Sequence, residues 1–291
     1  MKKVIFLSMD SLVGFVCYDR LAFEALKKIG WHAEEISWRN SNVNWNDYDA
    51  VIVRSSWDYQ SDPIKFSEVL EKINNSNAHL ENDLSVMKWN MNKKYLKDLE
   101  EKGIRIVETF WEKSFRSEKF EEYFNLLNSK EIVIKPNISA SAENTFKLMK
   151  DNFIDELKNL KNIFSNREFM VQKFMKNIVD EGEYSLFYFG GEFSHSVLKV
   201  PKKNDFRVQE EHGGKITLIK PDNEIKKQSE KILGKLKQVP LYARIDLVRT
   251  GDNDFALIEL ELIEPSLYFN FDNDSPQRFA SVFNEWMKKF L

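Results

Sequence analysis

The chain has 291 residues, 42% hydrophobic and 13% aromatic, which is enough apolar surface for one large or two to three smaller folding units and excludes full-length disorder. Its 43 basic and 46 acidic side chains give a formal net charge of -3, so no global cationic field offers itself to a nucleic acid backbone. Cys17 is the only cysteine, which rules out an intramolecular disulfide framework and a cysteine-only metal cluster; among Phe15, Val16 and Tyr18 it reads as a buried structural thiol.

Met1-Lys2-Lys3 precedes Val4–Leu7, an apolar run interrupted by Asp10 and too short for an export segment or a membrane span. It predicts the first β-strand of a cytoplasmic protein. Residues 19–29 place Leu21, Ala22, Ala25, Leu26 and Ile29 at helical spacing, and Gly30 supplies the stop. A short strand is expected over Ala33–Ile36, then a polar connection over 40–49, then Ala50–Val53 as a buried parallel strand. These segments predict an α/β unit over residues 1–83.

Further on, residues 92–102 read as a helix and Ile104–Val107 as a strand. The clearest strand is Glu131–Pro136, whose apolar run ends at a cation and a proline. Residues 147–164 read as mainly helical, with Phe153, Leu157, Leu160 and Phe164 on one face. Strands are then expected at Phe169–Val171, Tyr184–Phe189, Phe193–Val200, Tyr242–Val248 and Phe255–Leu262, with helices near 222–237 and 276–290 and no long-period repeat. Gly190-Gly191 fits a hairpin turn and Gly213-Gly214 a shaped loop.

The chemistry concentrates on the last strand. Alternation puts Leu257, Glu259 and Glu261 on one face and sends Ile258, Leu260 and Leu262 toward the core. Two same-face carboxylates lie roughly 7 Å apart, and crowding them in a dry cleft is costly without a cation. If Tyr242–Val248 is the neighbouring strand, Asp246 joins them as a third oxygen ligand. Such a donor set suits Mg²⁺, with Mn²⁺ as the alternative, and no compact histidine motif argues for zinc. Lys93, Lys135, Lys199 and Arg207 are the cations suited to phosphate. No Walker A or Gly-x-Gly-x-x-Gly sequence is present.

Trp89-Asn90-Met91-Asn92-Lys93, Val133-Ile134-Lys135-Pro136, Met170-Val171-Gln172-Lys173-Phe174, Asp205-Phe206-Arg207-Val208-Gln209 and Ile258-Glu259-Leu260-Glu261, in that order, resemble an ATP-grasp ligase. The subgroup is the one related to bacterial glutathione synthetase and to the O-ureido-D-serine cyclo-ligase of cycloserine biosynthesis. Residues 53–59, 189–195 and 261–266 look like the cyclo-ligase side of it. The resemblance implies an α/β and α+β architecture: an amino-terminal α/β domain over 1–83, an ATP-grasp small subdomain over 84–169 and a carboxy-terminal subdomain with the metal site over 170–291.

The same resemblance implies that Lys93 and Lys135 contact ATP, that backbone at Gln172, Lys173 and Phe174 meets adenine, and that Glu183 approaches ribose. Lys199 and Arg207 join Lys135 in stabilising the transferring phosphate, and Asp246, Glu259 and Glu261 hold Mg²⁺. Arg54 is the candidate for the acceptor carboxylate; Ser55, Ser56 and Asp58 position polar substrate groups, while Trp57 and Tyr59 read as local packing and His195 as either a proton carrier or a structural hydrogen bonder. The stretch Asn137–Thr145 lacks the glycines common in the family's phosphate-covering loop.

The implied reaction is activation of a small-molecule carboxylate as an acylphosphate, followed by attack of an amine or related nitrogen nucleophile. The alternatives are an intramolecular cyclo-ligase acting on an O-substituted serine-like substrate and a degenerate nucleotide-binding protein. No nucleic acid or membrane partner is expected, and homo-oligomerisation is left open.

Overall fold

The computed structural model describes residues 1–251 and 254–291. Its elements in chain order are β1 (Lys2–Ser8), α1 (Leu21–Lys28), β2 (Trp31–Ser37), β3 (Ala50–Ser55), α2 (Pro63–Asn74), β4 (His79–Glu81), α3 (Leu84–Met91), α4 (Tyr95–Glu101), β5 (Thr109–Glu112), α5 (Phe120–Leu126) and β6 (Glu131–Pro136). They continue with β7 (Phe146–Met149), α6 (Leu157–Phe164), β8 (Phe169–Lys173), α7 (Asn177–Asp180), β9 (Glu183–Phe189), β10 (Glu192–Val200), β11 (Lys215–Ile219), α8 (Asn223–Leu233), β12 (Tyr242–Gly251), β13 (Asp254–Glu261) and α9 (Ser275–Met287). Among the described residues no helix is long and apolar enough to cross a membrane.

Three sheets organise the chain. The first is parallel, in the order β2-β1-β3-β4. Val4–Leu7 and Ala50–Val53 are fully buried in it, as continuous apolar runs must be in a sheet covered on both faces. Helix α9 closes back onto this unit, with Phe279 and Phe283 packed among Phe6, Trp31 and Leu26. The second sheet is antiparallel, β5-β8-β6-β7, and the third runs β11-β10-β9-β12-β13. At the β9–β10 turn Gly190 and Gly191 both take positive φ, 59° and 86°, which the expected hairpin requires.

Several expectations move. The strand read at Ile104–Val107 is only a bridge, Ile106 to Leu257, and the regular strand forms further on as β5. The segment read as helical from residue 147 begins as β7, because Phe146–Met149 completes the edge of the small sheet beside β6; the helical part is a 3-10 turn over Phe153–Glu156 followed by α6. The helix expected over 92–102 starts at Tyr95. Strand β8 pairs with β5 and β6 in the small sheet, so its residues 170–173 lie with that sheet although the expected boundary fell at 169/170.

Among the described residues no strand lies beside the outer edge of β13, yet its backbone groups are bonded. Leu257 exchanges bonds with Arg105 and Val107, at 2.9 and 3.3 Å. The Leu260 amide donates to the Tyr95 hydroxyl, the Asn90 side chain donates to the Leu260 carbonyl and accepts from the Leu262 amide, and Asn82 donates to the Leu262 and Tyr242 carbonyls. Side chains thus do what a sixth strand would do, since buried backbone groups without partners are costly. Asn82 is 1% exposed and also accepts from the Leu241 amide. Asn82→Ala strips several buried groups at once and is expected to cost about 2–4 kcal/mol, read as a melting temperature lower by roughly 5–10 °C.

Candidate active site

A cleft lies between the small sheet and the five-stranded sheet. From the small sheet it takes Val133, Lys135, Gln172, Lys173 and Phe174; from the large one, Glu183, Lys199, Arg244, Asp246, Glu259 and Glu261. Lys93, Tyr95 and the 139–142 loop close one side, Phe206–Glu211 another, and Trp57 and Tyr59 reach in from the parallel-sheet unit.

The carboxylates are placed by strand register. Asp246 lies opposite Glu259 and Arg244 opposite Glu261 on β12 and β13, so the condition that these strands be neighbours is met. The ladder shifts between Asp246 and Leu247, pairing Leu247 with Leu257 and leaving Ile258 as an extra residue. This bulge overturns the simple alternation: Leu257 is fully buried in the core, whereas Ile258 lines the cleft beside Glu259.

Each carboxylate of the cluster has a cation. Glu259 pairs with Lys93, Glu261 with Arg244, and Asp246 with Arg244 at 2.9 Å and Lys199 at 3.4 Å. Lys199 also pairs with Glu183, its register partner on β9. Burial works against the Asp246 charge, but Arg244 and Lys199 outweigh it and hold its pKa at about 2. At Glu261 burial dominates, Arg244 opposes it, and the nearby Glu259 and Asp246 add to it, so the pKa is pushed up to about 7. Glu264, buried and next to Glu261, is raised well above the usual carboxylate range. Lys135 has no carboxylate partner among the described residues; burial lowers its pKa, and Lys93 adds to the effect against the pull of Glu259. Arg207 is held by Asp205 at 2.8 Å.

These values describe a cleft with more negative charge than its cations neutralise. Among the described residues no three metal-ligating side chains already converge on one point. The donors are nevertheless hard carboxylate oxygens on adjacent, registered strand positions, a chemistry that suits Mg²⁺.

The structure brings together Lys93, Lys135, Gln172, Lys173, Phe174, Glu183, Lys199, Arg207, Asp246, Glu259 and Glu261. It does not bring Arg54, Ser55, Ser56, Asp58 or His195 to the cleft wall. Arg54 is fully buried on Asp19 at 3.0 Å and on the Pro265 carbonyl at 2.6 Å. Ser55 bonds Ser8, Ser56 bonds the Leu7 carbonyl, and Asp58 accepts from Trp38 and Arg39. Trp57 and Tyr59, read from the sequence as packing, are the residues of that segment that face the cleft, because alternation along β3 ends at Ser55 and the chain turns there.

His195 sits 3% exposed, stacked on Phe187 at 4.3 Å, with Nδ1 against Ser194 and Nε2 against the Leu267 carbonyl, both 2.9 Å away. It is a core side chain with both nitrogens engaged.

The loop over 137–145 turns without glycine: Ser141, Ala142 and Asn144 all adopt left-handed φ, 52°, 55° and 53°. Beyond Val208 the Gly214 backbone approaches so closely that a Cβ would stand 2.0 Å from the Val208 carbonyl oxygen. Glu264 and Tyr268 in the cleft were not identified as site residues in the sequence, although both fall in or next to the stretch 261–266 singled out for its resemblance. Arg244 lines the cleft as well, paired with Asp246 on its own strand and with Glu261 through the register of β12 against β13.

Comparison with known proteins follows this geometry. Residues 113–267 match the ATP-grasp domain of prokaryotic glutathione synthetase, and residues 4–82 match the N-terminal domain of D-cycloserine synthetase DcsG. The cycloserine biosynthesis protein DcsG of Streptomyces lavendulae is 25% identical over 287 residues, covering 91% of this chain and 92% of that protein. The crystal structure of D-cycloserine synthetase DcsG superimposes with a TM-score of 0.86 at 21% identity, over 98% of this chain and 99% of that one. D-alanine–D-alanine ligase from Bacillus anthracis gives 0.70 at 16% identity, over 99% and 98%. The fold is therefore the ATP-grasp fold with a preceding α/β unit.

The buried imidazole of His195 generates a pH prediction. Burial lowers its pKa from 6.5 to about 4, so as pH falls the unfolded chain takes up this proton first. The stability is fully present above pH 6.5 and is lost as pH drops toward 4, by on the order of 3 kcal/mol. Thermal melts of the wild type across this window are expected to fall more steeply than those of His195→Gln; parallel curves refute the assignment.

Proposed function

The chain belongs to the prokaryotic glutathione synthetase ATP-grasp family, whose members are ATP-dependent ligases that generally use Mg²⁺, and on that premise we propose that it activates a small-molecule carboxylate for attack by nitrogen. The observation that carries this reading is the cleft itself: Asp246 and Glu259 in register on one wall, facing Lys135 on the other.

In the proposed reaction a carboxylate oxygen of the substrate attacks the γ-phosphorus of ATP, the bond to the β-phosphate oxygen breaks, and ADP leaves. Nitrogen then attacks the acyl carbon and expels phosphate. Lys135, short of a carboxylate of its own, is placed for the phosphate chain, and Lys93, Lys199 and Arg207 are the further cations. Asp246, Glu259 and Glu261 would hold Mg²⁺, which when bound would supply Lewis acid charge on the phosphate oxygens. The adenine edge is assigned to the strand exit at Gln172–Phe174. There the Lys173 and Phe174 amides already donate to the Glu108 and Glu131 carbonyls, so hydrogen bonding to the base falls to carbonyls of this stretch and to the adjacent Met175, which also lines the cleft. Glu183 is assigned to ribose.

Closure against water is built in. The Val16 amide donates to Glu211 at 3.0 Å and the Tyr18 hydroxyl to Glu210 at 3.1 Å, tying the parallel-sheet unit to the 205–211 loop across the mouth. Such exclusion protects an acylphosphate from hydrolysis. The likeness to DcsG, extending through residues 4–82, favours a second reading in which acyl group and nitrogen belong to one O-substituted serine-like molecule that cyclises.

The test follows ADP release with Mg²⁺-ATP over a panel of amino acids and O-substituted serines, with mass spectrometry of products. Substrate-dependent ADP is expected, with a product one water lighter than two joined substrates for ligation or than one substrate for cyclisation. Glu259→Gln is expected to lower kcat at least ~100-fold. Tight nucleotide binding without substrate-dependent ADP across the panel would turn the case toward a degenerate nucleotide-binding protein.

A further inference from the structure

The chain after β13 carries an acidic side chain that the reaction described above does not use. Glu264 lines the cleft at the end closed by Trp57 and Tyr59, and its carboxylate has neither a hydrogen bond nor an ion pair among the described residues. In this it is unlike its neighbours: Glu259, Glu261, Asp246 and Glu183 all have cations, and Glu210 accepts from Tyr18.

Nor is Glu264 loosely placed. The consecutive carbonyls of its loop are each held by a buried or half-buried donor: Ile263 by the Tyr242 hydroxyl at 2.8 Å, Glu264 by Trp57 Nε1 at 2.8 Å, Pro265 by Arg54 at 2.6 Å and Ser266 by Arg244 at 3.4 Å. A backbone fixed at four successive positions presents the carboxylate at a defined place in the cleft. The guanidiniums on this side of the cleft are already engaged, Arg54 on Asp19 and the Pro265 carbonyl and Arg244 on Asp246 and Glu261.

We infer that Glu264 is a specificity-determining residue whose carboxylate receives a protonated amine of the substrate, so that the substrate is an amino acid, its ammonium at the Trp57 end and its reacting carboxylate toward Lys135. This inference rests on the proposed ligase reading for the placement of the carboxylate. An ammonium supplies the missing cation at Glu264 and donates charge-assisted hydrogen bonds to its carboxylate; a dicarboxylate or a simple carboxylic acid brings no cation there and leaves those oxygens without a donor.

The experiment is calorimetric binding to the full chain loaded with Mg²⁺ and ADP, using D- and L-O-methylserine and the deaminated analogue 3-methoxypropanoate as probes. The wild type is expected to prefer one O-methylserine enantiomer by roughly 10-fold to 100-fold over the analogue, the range of a charge-assisted hydrogen bond. Glu264→Gln is expected to reduce that ratio to within about 3-fold while leaving Mg²⁺-ADP affinity unchanged, and Glu264→Asp to retain part of the preference. The inference is overturned if 3-methoxypropanoate binds the wild type as tightly as both enantiomers, if none of the probes binds, or if Glu264→Gln keeps the full ratio. Selectivity for the ammonium in a protein that releases no ADP with any panel member leaves this assignment standing and removes the ligase reading instead.

Discussion

Everything in the cleft depends on how the free edge of β13 is satisfied. An edge strand with open amides and carbonyls invites pairing with other chains, and one that carries Glu259 and Glu261 must also stay in register to keep them aimed. Here the segment from Asn82 to Val107 bonds that edge with two asparagines, a tyrosine and a short backbone bridge. The same segment holds Lys93, whose amide donates to the Asn137 carbonyl at 2.8 Å and whose side chain pairs with Glu259. One connection therefore ties the acidic strand, a cleft cation and the root of the 137–145 loop together.

That tie explains why the cleft can hold so many charges. Buried ions without partners cost several kcal/mol each, and the strands meet this by pairing Lys199 with Glu183 and Asp246, and Arg244 with Asp246 and Glu261. On the proposed function, an incoming polyphosphate and its cation exchange partners with pairs already present: lysines leave carboxylates for phosphate while the carboxylates take up the metal. Such an exchange keeps each charge partnered, and the burial and like-charge repulsion that lift Glu261 toward neutrality are what a divalent cation would offset.

Much of this was legible in the chain. Val4–Leu7 and Ala50–Val53 declared themselves as two-faced strands, and Glu259 and Glu261 as a face-sharing pair, because those signals are local; Asp246 joined them only on the condition that its strand lay alongside, which it does. What escaped was set by how strands pair with one another. The bulge at Ile258 comes from the register of β12 against β13, and no periodicity within 255–262 announces it. Phe146–Met149 is a strand because β6 offers an edge, although its residues also fit a helical face. Helix α2 was passed over even though Asp62 caps it and Pro63 opens it, a local signal that was present.

The segment Arg54–Tyr59 shows most clearly how a resemblance can find the right stretch and misplace the roles within it. Its polar residues looked like substrate ligands, yet Arg54, Ser55 and Ser56 are fully buried and an arginine there has work to do before any substrate arrives. Arg54 bridges Asp19 of one unit to the Pro265 carbonyl of another, and Trp57 does the same for Glu264. Both hold the backbone of the 263–266 loop, which borders the cleft. The parallel-sheet unit therefore shapes that end of the cleft while contributing, among the described residues, only Val16, Trp57 and Tyr59 to its wall. Changes at Arg54 then act by displacing that loop rather than by deleting a contact to the cleft, and if Glu264 receives the substrate's ammonium, their effect on substrate choice passes through its carboxylate.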